Sequence, residues 1–164
     1  MQIFGNYRGR GYLSENEPEI EFEAKSCETK NHIEYYSLVN IGSGFRETYQ
    51  IDPLLAFCQG VDFINRLVTN SLFVNNRFAQ FENKLHAQFY GKAYLIYEEY
   101  IGDTLLDFSV NILPKNENGL ASFPVKVEIS GIMNEIFYTS DPMKSFKLGC
   151  DIISSKLCYF NKYL

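Results

Sequence analysis

The amino-acid sequence predicts an α+β fold in which one domain, residues 1–164, contains two copies of an antiparallel β-meander followed by an amphipathic helix. Two observations predict this fold. The stretch Asp52–Ile64 recurs 89 positions later as Asp141–Ile153, with six of thirteen residues identical and no gap. The chain is also rich in residues that favour strands, because 14 Phe and 12 Tyr stand among its 164 residues.

The two recurring stretches predict helices. Asp52 and Asp141 stand where an N-cap carboxylate accepts backbone N–H bonds, and the proline after each suits the first helical position. Apolar residues then recur at spacings of three and four, which is typical of a helix with one buried face. This stripe consists of Leu54, Phe57, Val61, Ile64 and Val68 in the first copy and of Met143, Phe146, Cys150, Ile153 and Leu157 in the second.

Glycines recur in the same register. Gly60 and Gly149 flank the apolar stripes, where a glycine costs about 1 kcal/mol of helix propensity. We therefore expect each helix backbone to approach the sheet closely at its glycine. Gly42 and Gly131 each separate two strand-like runs and are predicted to form a tight hairpin turn with a positive φ.

Strand-like runs precede each helix. They are 1–13, Glu19–Cys27, His32–Ile41 and Phe45–Ile51 in the first half, and Lys84–Tyr90, Ala93–Ile101, Thr104–Leu113 and Ser122–Ser130 in the second. Turns are predicted at Gly91-Lys92 and Gly102-Asp103. The segment Asn70–Asn83 is the expected boundary between repeat 1 (1–75) and repeat 2 (76–164), which we expect to pack with pseudo-twofold symmetry.

Composition narrows the function classes. A net charge of −5 and a pI near 5.1 disfavour general binding to nucleic-acid phosphates. The N-terminal residues lack a signal-peptide pattern and no run reaches the roughly 18 apolar residues of a membrane span, so the expected location is cytoplasmic. The four cysteines, which show no CxxC spacing, are interpreted as reduced thiols, with a disulfide left open: Cys27, Cys58, Cys150 and Cys158.

No catalytic or cofactor motif is present, so no enzyme activity, cofactor or metal site is predicted. The two histidines, His32 and His86, lack further ligands at metal spacing. The run 8–11 (RGRG) could contact a phosphate, but a solvated turn is favoured. Glu98-Glu99 are expected on a strand, facing opposite sides. The paired aspartates of the two helices are expected to face solvent, without an assigned role: Asp62 and Asp151.

One surface feature indicates a partner. Carboxylates alternate with apolar residues along SENEPEIEFEAK, so the last three lie on one face of a strand. A solvated face would explain this pattern, but a basic protein surface would also relieve the repulsion between these charges and speed association. The candidate partner-binding residues are Glu15, Glu17, Glu19, Glu21 and Glu23.

The chain resembles small bacterial immunity proteins, which neutralise toxins of contact-dependent growth inhibition or type VI secretion. The resemblance rests on an acidic, Tyr/Phe/Asn-rich chain with β-meander units and a D-P-x-x-x-F-x-x-G-x-D helix. The run AFCQGVDFINRL is similar to the C-terminal helix of several immunity-type domains. The resemblance to immunity proteins implies a non-enzymatic inhibitor whose partner is a cognate toxin domain, and it leaves the toxin identity and the oligomeric state open.

The duplicated layout also resembles the Whirly fold of single-stranded DNA-binding proteins. The run Tyr90–Leu95 (YGKAYL) is similar to the Lys-Gly-Lys-Ala-Ala-Leu run of that family. This chain has Tyr90 in place of the first Lys and is acidic overall, and both departures argue against nucleic-acid binding. A third hypothesis is a small-molecule-binding domain or an enzyme with a cavity between the repeats.

Overall fold

The computed structural model describes residues 4–11, 13, 18–28, 35–42, 44–68, 85–98, 100–114 and 123–159. These described residues form an α+β fold with one nine-stranded antiparallel sheet and two helices. The strands are β1 (Phe4–Gly11), β2 (Ile20–Glu28), β3 (Tyr35–Ile41), β4 (Gly44–Gln50), β5 (His86–Tyr97), β6 (Tyr100–Ile112), β7 (Phe123–Ile129), β8 (Met133–Thr139) and β9 (Leu157–Cys158). The helices are α1 (Pro53–Val68) and α2 (Pro142–Lys156).

The sheet has the strand order β4-β3-β2-β1-β5-β6-β7-β8, and the short β9 pairs with the later part of β5. Each half contributes four strands in meander order and then a helix. The halves join where β1 pairs antiparallel with β5, from Phe4 opposite Tyr90 to Arg8 opposite His86. The expected boundary Asn70–Asn83 lies outside the described residues.

Both helices begin as the sequence predicts. Asp52 Oδ1 accepts hydrogen bonds from the backbone N–H groups of Leu54 at 2.7 Å and Leu55 at 3.3 Å. Asp141 Oδ1 accepts one from the N–H of Met143 at 2.8 Å. Each carboxylate therefore satisfies N–H groups of a first helical turn, which is the role predicted for both aspartates.

The predicted close approach of helix and sheet is confirmed at both helix glycines. A Cβ added to Gly60 would overlap Ser37 Oγ and lie 3.1 Å from Val39 Cγ2, and one added to Gly149 would lie 2.6 Å from Val110 Cγ1. The turn glycines also have positive φ values, +58° at residue 42 and +76° at residue 131. The second hairpin loop, 130–132, is one residue longer than the first, 42–43, so the ungapped register of the two halves ends at this turn.

The core lies between the helices and one face of the sheet. Its centre consists of aromatic contacts that cross between the halves. Phe57 of α1 packs on Phe89 of β5 with ring centroids 4.5 Å apart, and Phe146 of α2 stacks on Tyr7 of β1 at 5.2 Å. Each helix therefore packs against the first strand of the other half, so burial of these rings joins the halves into one core.

Four local predictions were wrong. The turns predicted at Gly91-Lys92 and Gly102-Asp103 lie inside β5 and β6, and the chain reverses between Tyr97 and Tyr100, which pair with each other. Glu98 is therefore in a turn with φ of 29°, not on a strand. The run 8–11, interpreted as a solvated turn, lies in the central strand β1. Glycine does not end these strands: Gly9 lies opposite Phe22 and Gly91 opposite Phe108, and both glycines pair within continuous ladders.

Candidate interaction surface

The side of the sheet opposite the helices is here called the helix-free face. Along each strand, buried side chains point towards the helices, and the alternating residues point the other way. The register of the sheet brings the latter together on one surface. Its charged members include Arg8, Arg10, Glu21, Glu23, Lys25, Glu47, His86, Lys92, Asp107, Lys126 and Glu128.

The predicted alternation on β2 is confirmed for the residues that the structure describes. Phe22 and Ala24 are buried, whereas Glu21 is exposed on the helix-free face, with Glu23 on the same side. Glu19 precedes the strand and is partly buried. Glu15 and Glu17 lie outside the described residues.

Each of the three described carboxylates has a cation beside it. Arg10 donates to Glu21 Oε1, with Nη2 at 2.9 Å, and its Nη1 lies 3.8 Å from Glu19 Oε1. Lys25 Nζ lies 3.1 Å from Glu23 Oε1. The acidic stripe is thus largely compensated, because β1 places Arg10 opposite Glu21 in the sheet. The sequence could not show this compensation without knowing that the RGRG run is a strand beside β2.

A shallow basin of about 540 Å³ lies over this part of the face. Arg8, Arg10 and His86 line it on the basic side, and Glu21 and Glu23 on the acidic side. His86 is brought there by the pairing of β5 with β1, where it stands directly opposite Arg8. Basic and acidic hydrogen-bonding groups therefore surround one depression at the centre of the sheet.

A similar basin of about 740 Å³ lies in the second half. In both basins a glycine opposite a phenylalanine is followed by a cation opposite a carboxylate: Arg10 opposite Glu21 in the first, and Lys92 opposite Asp107, 3.8 Å apart, in the second. Tyr90 and Ser109 occupy the places that Arg8 and Glu23 hold in the first. The second basin is consequently less charged and is lined only by residues of the second half, whereas the first also includes His86 across the β1–β5 junction.

Large apolar side chains are exposed towards the two outer strands of the helix-free face. Phe45 of β4 is 73% exposed, and Tyr138 and Ile136 of β8 are 48% and 44% exposed. Tyr49 and Tyr90 are also exposed on this side. Aromatic residues of this kind supply much of the binding energy at protein interfaces.

The paired aspartates of the helices have a structural role that sequence reasoning missed. Lys147 Nζ lies 2.8 Å from Asp151 Oδ2 on its own helix and 3.4 Å from Asp62 Oδ1 on α1. Burial acts to lower the pKa of Lys147, but the hydrogen bond to Asp151 and the two carboxylate charges outweigh it and raise the pKa. The lysine therefore bridges the helices on their outer side.

Buried polar groups also join the halves. Tyr7 OH donates to Asn65 Oδ1 at 2.5 Å, and Asn65 Nδ2 donates to the carbonyl oxygen of Met143 at 3.1 Å. Cys58 Sγ lies 3.4 Å from the carbonyl oxygen of Cys150. Burial, together with the hydrogen bond to Cys58, raises the pKa of Cys150, so this thiol is held protonated.

The histidines and cysteines of the described residues do not form a metal-binding group. No group of three or more His, Cys, Asp or Glu able to hold a metal occurs in the described ranges. His86 lies on the basin wall, and His32 is outside the described residues. Cys58, Cys150 and Cys158 are free thiols, and the side chain of Cys27 is not described.

By its fold and surface the chain is an α+β protein with one broad antiparallel sheet, helices on one side and a charged, aromatic face on the other. No family model, curated protein or solved structure matches it. In the described part of the chain, neither helix is long and apolar enough to cross a membrane.

Proposed function

We propose that this chain is a non-enzymatic cytoplasmic inhibitor that binds a partner protein through its helix-free face, and that it is an immunity protein for a cognate bacterial toxin. The observation that carries this proposal is the character of that face. It spans eight strands, has alternating charges near its centre and exposes large aromatic and aliphatic side chains towards its outer strands. Protein interfaces combine such anchors with hydrogen-bonding groups.

The charge pairs on this face suit exchange with a partner. Arg10 and Glu21 are 51% and 74% exposed, so their ion pair is solvated and adds little to the stability of the free chain. A basic residue of a toxin could displace Arg10 from Glu21 at small cost and would be desolvated as it bound. The same carboxylates would raise the association rate for a basic toxin surface.

Growth rescue tests this proposal. The toxin candidate is the C-terminal domain encoded by the reading frame immediately upstream of this gene. If the proposal holds, that domain arrests growth when expressed alone, and co-expression of this chain restores growth. The double variant Glu21→Lys/Glu23→Lys should bind the domain at least tenfold more weakly, or about 1.4 kcal/mol. A toxic domain that this chain neither binds nor neutralises would contradict the proposal.

A control variant shows whether charge reversal weakens binding only on the helix-free face or anywhere on the surface. Glu135 is an exposed carboxylate on β8 whose register with buried Val127 places it on the helix-covered side. Glu135→Lys should therefore leave growth rescue and toxin affinity unchanged. If this variant and the Glu21→Lys/Glu23→Lys variant lost the same toxin affinity, β2 would not be a specific part of the interface.

Single-stranded nucleic acid is a second candidate partner, favoured by one observation. On the helix-free face the two central strands carry Arg8, Arg10, His86 and Lys92, with the exposed Tyr90 beside them. Cations that follow a strand beside an aromatic ring are typical of single-strand binding. Against it, Arg10 and Lys92 each have a carboxylate beside them.

A titration of labelled oligonucleotides at two salt concentrations decides between the partners. Binding to nucleic acid predicts an affinity that falls steeply with salt and is lost in Arg8→Glu/Arg10→Glu. Lys156→Glu, which reverses a charge at the end of α2, should keep the affinity. Absence of binding at low salt would exclude this candidate.

The two halves are further proposed to descend from a tandem duplication with a Whirly-like layout. The support is the repeated order of four strands and a helix, the equivalent Asp-Pro caps, the two close-packed helix glycines and the reciprocal ring contacts of Phe57 and Phe146. Such an origin would also explain why both halves have a basin with the same arrangement of glycine, phenylalanine and ion pair.

A further inference from the structure

The outermost strands of the sheet, β4 and β8, are alike in length and surroundings. Each has seven residues, and in the described part of the chain no strand pairs with the outer side of either. An uncovered edge presents backbone N–H and C=O groups that can pair with another strand. Natural proteins usually protect such edges with proline, lysine or a β-bulge.

Each edge has only one protective feature, a charged side chain on the helix-covered side, Arg46 on β4 and Glu135 on β8, which disfavours pairing unless the added strand has the opposite charge there. Both strands lack proline and lysine, and the register of each with its inner neighbour is continuous, without a bulge. Both also expose large apolar side chains, with Phe45 at 73% on β4 and Tyr138 and Ile136 at 48% and 44% on β8. Edges of this kind are sites of strand addition.

The two edges carry opposite charges at corresponding positions. Arg46 of β4 and Glu135 of β8 are both exposed, and both lie on the helix-covered side, because Arg46 pairs with Val39 and Glu135 with Val127. Arg46 is held over the ring of Phe63 with its Cζ 4.4 Å from the centroid. The edges are therefore complementary in charge.

The direction of the strands permits them to meet. Successive strands across the eight-strand path are antiparallel, so β4 and β8 run in opposite directions. A second copy placed beside the first in the same orientation would thus offer its β8 antiparallel to β4. With Arg46 opposite Glu135, Phe45 would lie opposite Ile136, and both would be on the helix-free face.

Pairing of identical edges is less favourable. Two β4 strands aligned about their centres would place Arg46 or Glu47 opposite its own copy, and like charges directly opposite are destabilising. Two β8 strands would offer no cation to Glu135. Charge therefore favours pairing between different edges.

We propose that copies of this chain associate head to tail, with β4 of one copy adding to β8 of the next in an antiparallel pair. The sheet then continues from copy to copy with all helices on one side, and the helix-free face stays accessible. Because such a contact joins two different surfaces, it leads to rings or to open chains of copies. This inference does not depend on the proposed function.

Charge reversal and its rescue test the contact. Sedimentation velocity of the full chain over a range of concentrations should show species larger than a monomer that grow with concentration. Arg46→Glu and Glu135→Arg should each weaken association by up to about tenfold, because each places like charges together. The double variant Arg46→Glu/Glu135→Arg restores opposite charges and should regain wild-type association.

Two controls complete the test. Lys156→Glu changes the net charge as Arg46→Glu does, but lies at the end of α2, so it should associate like the wild type. Ile136→Lys places a lysine on the edge and should abolish association while circular dichroism shows an intact fold. A wild-type chain that is monomeric at every concentration, single reversals that associate normally, or a double variant that is not rescued would each overturn the proposal.

Discussion

Gly60 of α1 faces Ser37 and Val39, whereas Gly149 of α2 faces three valines, Val110 among them. Both glycines allow the helix to rest on the sheet, but the surfaces beneath them differ. Ser37 Oγ is buried and has no hydrogen-bond partner in the described part of the chain. The first half thus buries a hydroxyl group that lacks a described partner beneath its helix glycine, at a position where the nearest side chains of the second half are valines.

The helix caps also differ between the halves, but here the polar atom without a described partner is in the second half. Asp141 is fully buried, and its Oδ2 has no partner among the described residues, whereas Asp52 is partly exposed. Each half therefore has one of these two positions with a buried polar atom that lacks a partner among the described residues. Equivalent sequence signals do not give equivalent energetics, because the neighbouring residues differ between the halves.

The largest expected effect comes from filling the space at the helix glycines. Gly60→Ala would force its Cβ into the Ser37 side chain, 2.9 Å from Ser37 Cβ, and should lower the free energy of unfolding by about 1–3 kcal/mol despite a better helix propensity. Urea unfolding measures this loss. Ser37→Gly in the same chain removes both contacts and should recover part of it. A Gly60→Ala variant as stable as the wild type would contradict the close approach.

Gly149→Ala provides the comparison for the second half. Its Cβ would meet Val110 Cγ1 at 2.6 Å and Val125 Cγ2 at 3.0 Å. These branched side chains cannot rotate away as freely as the Ser37 hydroxyl. We therefore expect Gly149→Ala to lower the free energy of unfolding at least as much as Gly60→Ala does. Val110→Ala in the same chain should recover part of this loss.

Much of this arrangement follows from sequence. The Asp-Pro caps, the apolar stripes and the recurring glycines predict both helices and their approach to the sheet, since these signals are local. The pairing of β1 with β5 was not predictable, because it joins residues about 80 positions apart. The RGRG run is interpreted as a turn because of its two glycines, so the pairing of β1 with β2, which places Arg10 beside Glu19 and Glu21, was also missed. For Glu21 and Glu23 the predicted face of the strand is confirmed, but the sequence did not reveal the cations beside them.

The second expected effect concerns the buried hydrogen bond of the first half. Tyr7→Phe keeps the ring stacked on Phe146 but removes the hydrogen bond that Tyr7 OH donates to Asn65 Oδ1, which should cost about 1–2 kcal/mol of stability. In an Asn65→Ala background the same change should cost much less, because that hydrogen bond is already absent. Thermal or urea unfolding of the four chains measures the coupling, and equal costs in both backgrounds would show that the hydrogen bond adds nothing.

The same position in the second half is occupied by Phe89, which packs on Phe57 without a hydroxyl group. Phe89→Tyr would bury a hydroxyl among apolar residues and should destabilise the fold. The pair of reciprocal substitutions thus tests whether the two halves require different residues at one shared position.

The smallest expected effect is a difference between the two N-cap aspartates in how their contribution to stability depends on pH. Burial raises the pKa of Asp141 above its ordinary value of 3.8, although the N–H groups of Met143 and Lys144 and the charge of Lys144 oppose the shift. The folded chain therefore holds this proton more tightly than the unfolded chain. The carboxyl group stabilises the fold fully below pH 3.8 and loses that contribution as pH rises through the folded-state pKa.

Asp141→Asn removes this titration while its Oδ1 can still accept from Met143. The stability of the variant relative to the wild type should thus improve as pH rises from below 4 towards neutrality, and urea unfolding at several pH values measures it. Asp52→Asn is the matched comparison. Burial also raises the pKa of Asp52, but its carboxylate is partly exposed and accepts from Leu54 and Leu55, so its pH dependence should be weaker. A difference between Asp141→Asn and the wild type that does not change with pH would show that the buried carboxyl titrates normally.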